Sequence, residues 1–386
     1  MHILIAPNAF KNALSADDAA KYIHEGLSKS KLKFTAENFP VGDGGDGTGK
    51  LLIQKSNARV INIYVKDPLG RKINASFGLT DDYTAIIELA DVAGLKLMKP
   101  DELDPLHAST SGAGELIIDA LNKKAKRILL CIGGSCTVDG GIGILQSLGI
   151  KFLDKKNQGL TGMPESLSHL EKIDTSQLDS RIKETELIIL CDVENNLLGK
   201  NGAAVVFGPQ KGASSNDIEK LEACLARFRD VAFHHTGKDM NALKHGGAAG
   251  GVAAGLATFT GAKLVNGIDY FIDFTHFEES LKKADIVITG EGSIDEQTLH
   301  GKAPFGVAVR AKKENISVIG FAGKIALEPE DKLKTYFDVL LPINNELAEI
   351  SVALKNTSVN LVRTANALGD LLVLKDDLTR QIKVSR

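Results

Sequence analysis

The chain alternates short apolar runs with stretches whose apolar residues recur at helical spacing. Ile3 to Ala6 reads as a buried strand, stopped by Pro7 and Asn8. Ser15 then stands three residues before Asp18 in a capping-box arrangement, and Ala16, Ala19, Ala20, Ile23 and Leu27 line one helix face. A second strand approaches Val41 and runs into GDGGDGT (42–48), with a helix from Thr48 that turns Leu51 and Leu52 inward. The texture then changes. RVINIYVKD, KINASFGLT and TAIIELA (59–90) read as alternating strands, the first two joined by the turn DPLG, which predicts an antiparallel portion. Helical spacing returns in TSGAGELIIDALNK, followed by the strand RILLCIGG, a glycine loop and the helix IGILQSLG. Further strands are LIILCD, ADIVITG, VIGFAG and DVLLPI, with a helix expected from about Pro304.

Strands alternating with helices predict an α/β protein. The first βα units and the last third share a texture that the middle lacks. We therefore expect two α/β domains: a discontinuous Rossmann-like one with a mainly parallel sheet (1–62 plus 282–386), and an inserted mixed α/β one with antiparallel strands (63–281). The active site is expected in the cleft between them. A length of 386 residues suits two domains.

Composition narrows the function classes. Apolar residues make up 43% and charged residues 25%, with a net charge of −3, so no basic surplus speaks for nucleic acid. No run approaches the roughly 18 apolar residues of a membrane span, and MHILIAPNAFK lacks the apolar core of a signal peptide. A cytoplasmic location is the expectation. Cys131, Cys136, Cys191 and Cys224 form no CxxC pair, and Cys131 and Cys191 sit inside apolar runs, which predicts buried reduced thiols.

Glycine, with 38 residues, clusters just after apolar runs. In open α/β sheets ligands bind beyond the carboxyl ends of strands. There the chain places Asp43 in GDGGDGT, then Gly133, Gly134 and Ser135, then Asp192, and then Gly290, Glu291 and Gly292. Glycines let backbone N–H groups approach an anion, and carboxylates suit Mg²⁺ or a base beside phosphates. A single glycine after a strand is about twice as often a plain turn, and a lone Asp there is often a helix cap. The glycines at 246, 247, 250, 251 and 255 serve close helix packing as readily as phosphate contact. Coincidence over many strands carries the argument. No GxxxxGK[ST], GxSxG or HExxH string occurs, which removes P-loop, serine-hydrolase and zinc-peptidase readings. His234 and His235 read as a solvated helix end.

Eight blocks stand in order along the chain: IAPNAFKNALSA, GDGGDGT, DPLHASTSGAGELI, IGGSCTVDGG, CDVENNLLG, FGPQKGA, GGAAGGVAAGL and TGEGSIDEQTLHGK. With them the chain resembles the bacterial type I glycerate kinases over essentially its whole length. The resemblance implies a two-domain α/β enzyme that uses ATP and Mg²⁺ to phosphorylate D-glycerate, giving 2- or 3-phosphoglycerate. Some blocks depart from the family pattern. Asn8 and Ala9 stand where Asp-Ser is common, Cys136 and Val138 replace Ala and Asn, Glu194 and Asn196 replace Thr and Pro, and Asp46 replaces Glu. Asn8 is thereby a poor candidate for base or metal ligand.

Phosphoryl transfer needs clamped phosphates, a metal, an oriented hydroxyl and a nearby carboxylate. Asp43, Asp192 and Asp295 are the candidates for base and metal, with Asp192 and Asp295 as Mg²⁺ ligands. Lys11 and Lys302 are candidates to neutralise phosphate charge. Gly133, Gly134, Ser135 and Thr137, and Gly290, Glu291 and Gly292, are the candidate phosphate loops. Lys302 stands just before a helix start, where a cation meets the wrong end of the dipole, so an anion is expected beside it. Arg71 is the candidate partner of the glycerate carboxylate, against a solvated-surface alternative. Expected partners are glycerate and ATP, with a homodimer left open. The rivals are a kinase for another small hydroxy acid and a catalytically silent sensor on the same fold.

Overall fold

A computed structural model describes residues 1–326, 331–346 and 348–384. Its strands are β1 (His2–Ile5), β2 (Thr35–Asn38), β3 (Arg59–Lys66), β4 (Lys72–Leu79), β5 (Thr84–Glu88), β6 (Arg127–Cys131), β7 (Lys151–Leu153), β8 (Lys172–Asp174), β9 (Glu186–Cys191), β10 (Lys263–Asn266), β11 (Ile286–Ile294), β12 (Ser317–Ile325) and β13 (Val339–Pro342). The chain divides into two compact units, Met1–Asp43 with Ile268–Arg386, and Gly44–Gly267.

The first unit is built on a five-stranded parallel sheet of order β13-β12-β11-β1-β2. The helix Ala16–Lys29 starts as the sequence predicts. Ser15 Oγ accepts from the Asp18 N–H at 3.1 Å, and Ala16, Ala19, Ala20, Ile23 and Leu27 are buried. The Asp18 carboxylate accepts from the Ser15 hydroxyl at 2.6 Å rather than from its backbone, so the box is only half formed. Ile3, Ile5, Ile23, Leu27, Ile288 and Phe321 share one core, each worth about 1.5–3 kcal/mol of transfer free energy.

Two strand ends differ from expectation. β2 stops at Asn38, short of Val41, because its partner β1 ends before Pro7. The Phe39 and Val41 N–H groups still donate to Ile5 and Pro7 carbonyls at 2.8 and 3.0 Å. β11, by contrast, continues through the expected glycine loop. Gly290, Glu291 and Gly292 lie within the strand, which pairs with β12 as far as Ile294 opposite Ile325. Gly290 permits the close pairing, since a Cβ there would stand 2.2 Å from the Phe321 carbonyl oxygen.

The second unit holds a six-stranded sheet of order β10-β9-β6-β5-β4-β3, parallel from β10 to β5 and antiparallel from β5 to β3. The antiparallel part follows from the DPLG turn: Asp67 Oδ1 accepts from the N–H groups of Leu69 and Arg71 at 3.0 and 2.8 Å. β7 and β8 form a separate antiparallel pair. Phe77, Ile87, Leu130, Ile189 and Phe228 belong to a core that lies wholly within this unit. The four cysteines are all buried and none is in a disulfide. No helix among the described residues is long and apolar enough to cross a membrane.

Candidate active site

In the first unit, the carboxyl ends of β1, β2 and β11 gather polar side chains. Asn8 lies past β1, Asp43 past β2, and Glu291 and Asp295 on and just beyond β11. The Asn8 side-chain amide donates to Asp43 Oδ2 at 2.9 Å, and Asp43 is 8% exposed. The residue that departs from the family pattern is therefore a donor that orients a carboxylate, a contact an ionised aspartate there would turn into repulsion. Glu291 is buried and accepts from Thr298 Oγ1 at 3.2 Å. Burial pushes its carboxyl up to about 8, Lys302 opposes that, and Asp43 and Asp295 add to it. Asp295 Oδ2 accepts from Ser293 Oγ at 3.1 Å, and its N–H donates to Thr298 Oγ1 at 3.1 Å, which opens the short helix Glu296–His300.

This corrects one reading. Gly290, Glu291 and Gly292 are strand rather than a loop, and the Glu291 side chain joins a carboxylate group. The charge of Lys302 favours the ionised form of Glu291 against its burial. Lys302 is the N-cap residue of the helix Ala303–Lys313. Lys11 is exposed in the turn after Phe10, its backbone N 3.7 Å from where a Gly292 Cβ would lie.

In the second unit, the loop after β6 is bound on several sides. The Gly133 N–H donates to the Gly44 carbonyl and the Cys136 N–H to the Ala93 carbonyl, both at 2.9 Å. Gly134 turns at φ +72 and is exposed, whereas Ser135 and Thr137 are buried. Beneath them lies Lys211, 2% exposed, donating to Ser135 Oγ at 2.9 Å and the Thr137 carbonyl at 2.6 Å. Burial lowers the Lys211 ammonium to about 8, while Cys136, Asp139 and Asp192 oppose that shift. Among the described residues the Thr137 hydroxyl has no hydrogen-bond partner. Asp192 is half-buried just past β9.

Of the glycines between 246 and 255, Gly250 and Gly251 take positive φ and break the helical spacing read from the sequence. A Cβ on Gly250 would stand 2.2 Å from the Thr137 carbonyl oxygen, so close packing explains that glycine. Arg71 is half exposed and pairs with Asp67 through Nε and with Glu102 through Nη1 at 2.7 Å, so internal carboxylates occupy the fork expected to meet substrate.

Sequence reading missed Lys211, Asp139 and Glu88. Lys211 was in view in FGPQKGA, but a lysine between Pro209 and Gly212 looks like a surface turn. Glu88 is buried at the end of β5 and accepts from the Gly47 N–H and, at 3.2 Å, from the Lys50 N–H, which caps the helix Thr48–Lys55. Burial, with Asp91 and Asp46 nearby, pushes its carboxyl up to about 7, against the N–H donors. The raised value fixes the sign of its pH effect. Between 4.5 and about 7 the folded chain keeps a proton that the unfolded chain releases, so this part of stability falls as pH rises through that window. The full amount is about 3 kcal/mol. Urea titrations at pH 4.5 and pH 8 should show wild type losing about that much more than Glu88→Gln. Equal losses would refute it.

The first unit's carboxylates fit a hard divalent cation. Burial raises the Glu291 carboxyl first, and the nearby charges of Asp43 and Asp295 add to the rise, which a bound cation would offset. No three His, Cys, Asp or Glu side chains among the described residues form a ready metal cage.

Residues 3–373 match the glycerate kinase family. Glycerate kinase of Bacillus subtilis (strain 168) is 40% identical over 96% of this chain and 97% of its own. Glycerate 2-kinase of Escherichia coli (strain K12) is 37% identical over 97% of this chain and 98% of its own. A crystal structure from Salmonella typhimurium LT2, provisionally designated glycerate kinase 2, is 39% identical and superposes with a TM-score of 0.80 over 98% of this chain and 99% of that one. The chain belongs to the glycerate kinase family, kinases that transfer phosphate to an alcohol group.

Proposed function

We propose that this chain phosphorylates D-glycerate at the expense of ATP, with Mg²⁺, to give 2- or 3-phosphoglycerate. The observation that carries this, within the family, is the grouping of Asp43, Glu291 and Asp295 with Lys302 where β2 and β11 end. Asp295 accepts the proton of the attacking hydroxyl, and Asp43, held by Asn8, is the second carboxylate of the site. Lys302 and Lys11 meet phosphate charge, and the exposed turn at Gly134 offers backbone N–H groups to the nucleotide. Asp192 and Asp295 are the candidate Mg²⁺ ligands, and the ion would offset the charge of transfer.

The test is a coupled assay of ADP release with D-glycerate and a panel of other small hydroxy acids, each in Mg²⁺ and in EDTA. Turnover with D-glycerate that disappears in EDTA is expected, and phosphorus NMR then identifies the carbon phosphorylated. Turnover only with another hydroxy acid would reassign the substrate. No turnover with any acid would leave a sensor. Equal ATP affinity in EDTA by calorimetry would remove the metal role.

A further inference from the structure

We propose that Lys211 is a positioning residue for nucleotide binding. From below, its ammonium fixes the loop after β6 in the shape, and at the potential, that receives phosphate. The proposal rests on the reading of that loop as a phosphate contact and names the group that organises it.

Three observations support it. The first is geometric. Lys211 Nζ donates to the hydroxyl of Ser135 and the carbonyl of Thr137, so one buried group ties two residues of the loop. Cys136, the residue between them, is held from another side by the Ala93 carbonyl. The loop is thus fixed on the inside while Gly134 stays exposed.

The second concerns charge. Both groups that Lys211 contacts are neutral oxygens. Asp139 faces it from the same loop and Asp192 from the end of β9. Asp139 is already committed, accepting from the N–H groups of Thr110, Gly141 and Gly143 and from the Thr110 hydroxyl. Cys136 faces Lys211 as a neutral thiol, pushed up to about 12 by burial. The positive charge therefore reaches the loop backbone and adds to whatever its N–H groups offer an anion.

The third is economy of design. Burying an ammonium is costly, and a methionine or leucine would fill the same volume without that cost. Gly250 also packs closely on the Thr137 carbonyl, so the surroundings are closely fitted. A charge kept in such a place acts on what lies next to it, and here that is the loop.

The experiment compares Lys211→Met, Lys211→Gln and Lys211→Arg. Lys211→Met should raise the KM for ATP at least tenfold, the scale of lost charge-assisted hydrogen bonds. The glycerate KM should stay within about twofold and kcat should fall less than the ATP KM rises. Lys211→Gln keeps donors without charge and should recover little, whereas Lys211→Arg keeps charge and should recover part of the ATP affinity. An unchanged ATP KM in the Met and Gln variants overturns the proposal, as does an equal rise in both KM values. If Lys211→Met does not fold, the Gln and Arg pair carries the comparison, and full recovery by Gln overturns the charge role. Hydrogen exchange of the wild-type protein with ATP separates the two readings. Protection of residues 133–137 with normal ATP binding by the variants sinks Lys211 alone. Absence of that protection sinks the phosphate loop, and the proposal with it.

Discussion

Asp295→Asn should lower turnover about a hundredfold or more, the scale of lost acid–base help, with little change in melting temperature. Asp295 lies directly after β11 and opens the short helix Glu296–His300, so a capping role is the competing account. Asn caps a helix nearly as well as Asp, and an Asn oxygen can still accept from Ser293 Oγ, now 3.1 Å away. Under the capping account both stability and activity survive. A base or metal ligand needs the charge, so only the functional account predicts inactivity with an intact fold. The electrostatic setting points the same way: Asp295 adds to the rise that burial imposes on Glu291, so removing its negative charge should not harm folding. Near-normal turnover in Asp295→Asn would pass the role to Asp43 or Asp192. Steady-state kinetics with a thermal melt on the same preparation decides it.

Asp139→Ala should be the most damaging to the fold, costing about 3–5 kcal/mol. Asp139 is fully buried and accepts from the Thr110 N–H at 2.9 Å, the Thr110 hydroxyl at 2.7 Å, and the Gly141 and Gly143 N–H groups at 3.0 and 3.3 Å. The Ile144 N–H donates in turn to Thr110 Oγ1 at 3.2 Å. One carboxylate thus satisfies the start of the helix Ile142–Ser147 and joins it to the start of the helix Ser111–Asn122. Alanine would strand these donors in a dry interior, where each unmade bond costs its full desolvation. Asp139→Asn, keeping one acceptor oxygen, should lose about half as much. Urea midpoints measure both. A loss below about 1 kcal/mol for alanine would mean that water reaches these donors and that they are not truly buried.

The sequence was most informative where period and punctuation agree. The helix after Ser15, the antiparallel β3–β4 pair around DPLG, and the strand β6 before the Gly133–Gly134 turn follow from local patterns that tertiary packing did not overrule. It was least informative where a residue's meaning depends on a partner far along the chain. Gly290 and Gly292 look like loop residues, yet β12 recruits them into a longer strand. Arg71 looks like an available fork until Glu102, distant in sequence, is folded beside it. Lys211 reads as a surface lysine because only a loop 74 residues away makes it a buried one. The carboxylates at the strand ends were legible as a set because strand ends are legible. That Asn8 steers one of them was not, since it depends on the geometry of β1 against β2.

The distribution of sulfur has a practical consequence. The chain's four thiols all belong to Gly44–Gly267, all are buried, and burial raises every one above its ordinary value. A thiolate is the species that alkylating reagents and oxidants attack, so the native protein should resist both without added reductant. Labelling, when it occurs, would time the opening of that one unit and would be silent on the other. The chain thus carries its own chemical clock for half of its structure, with Cys136 marking the loop after β6 and Cys191 the end of β9, and needs no introduced probe.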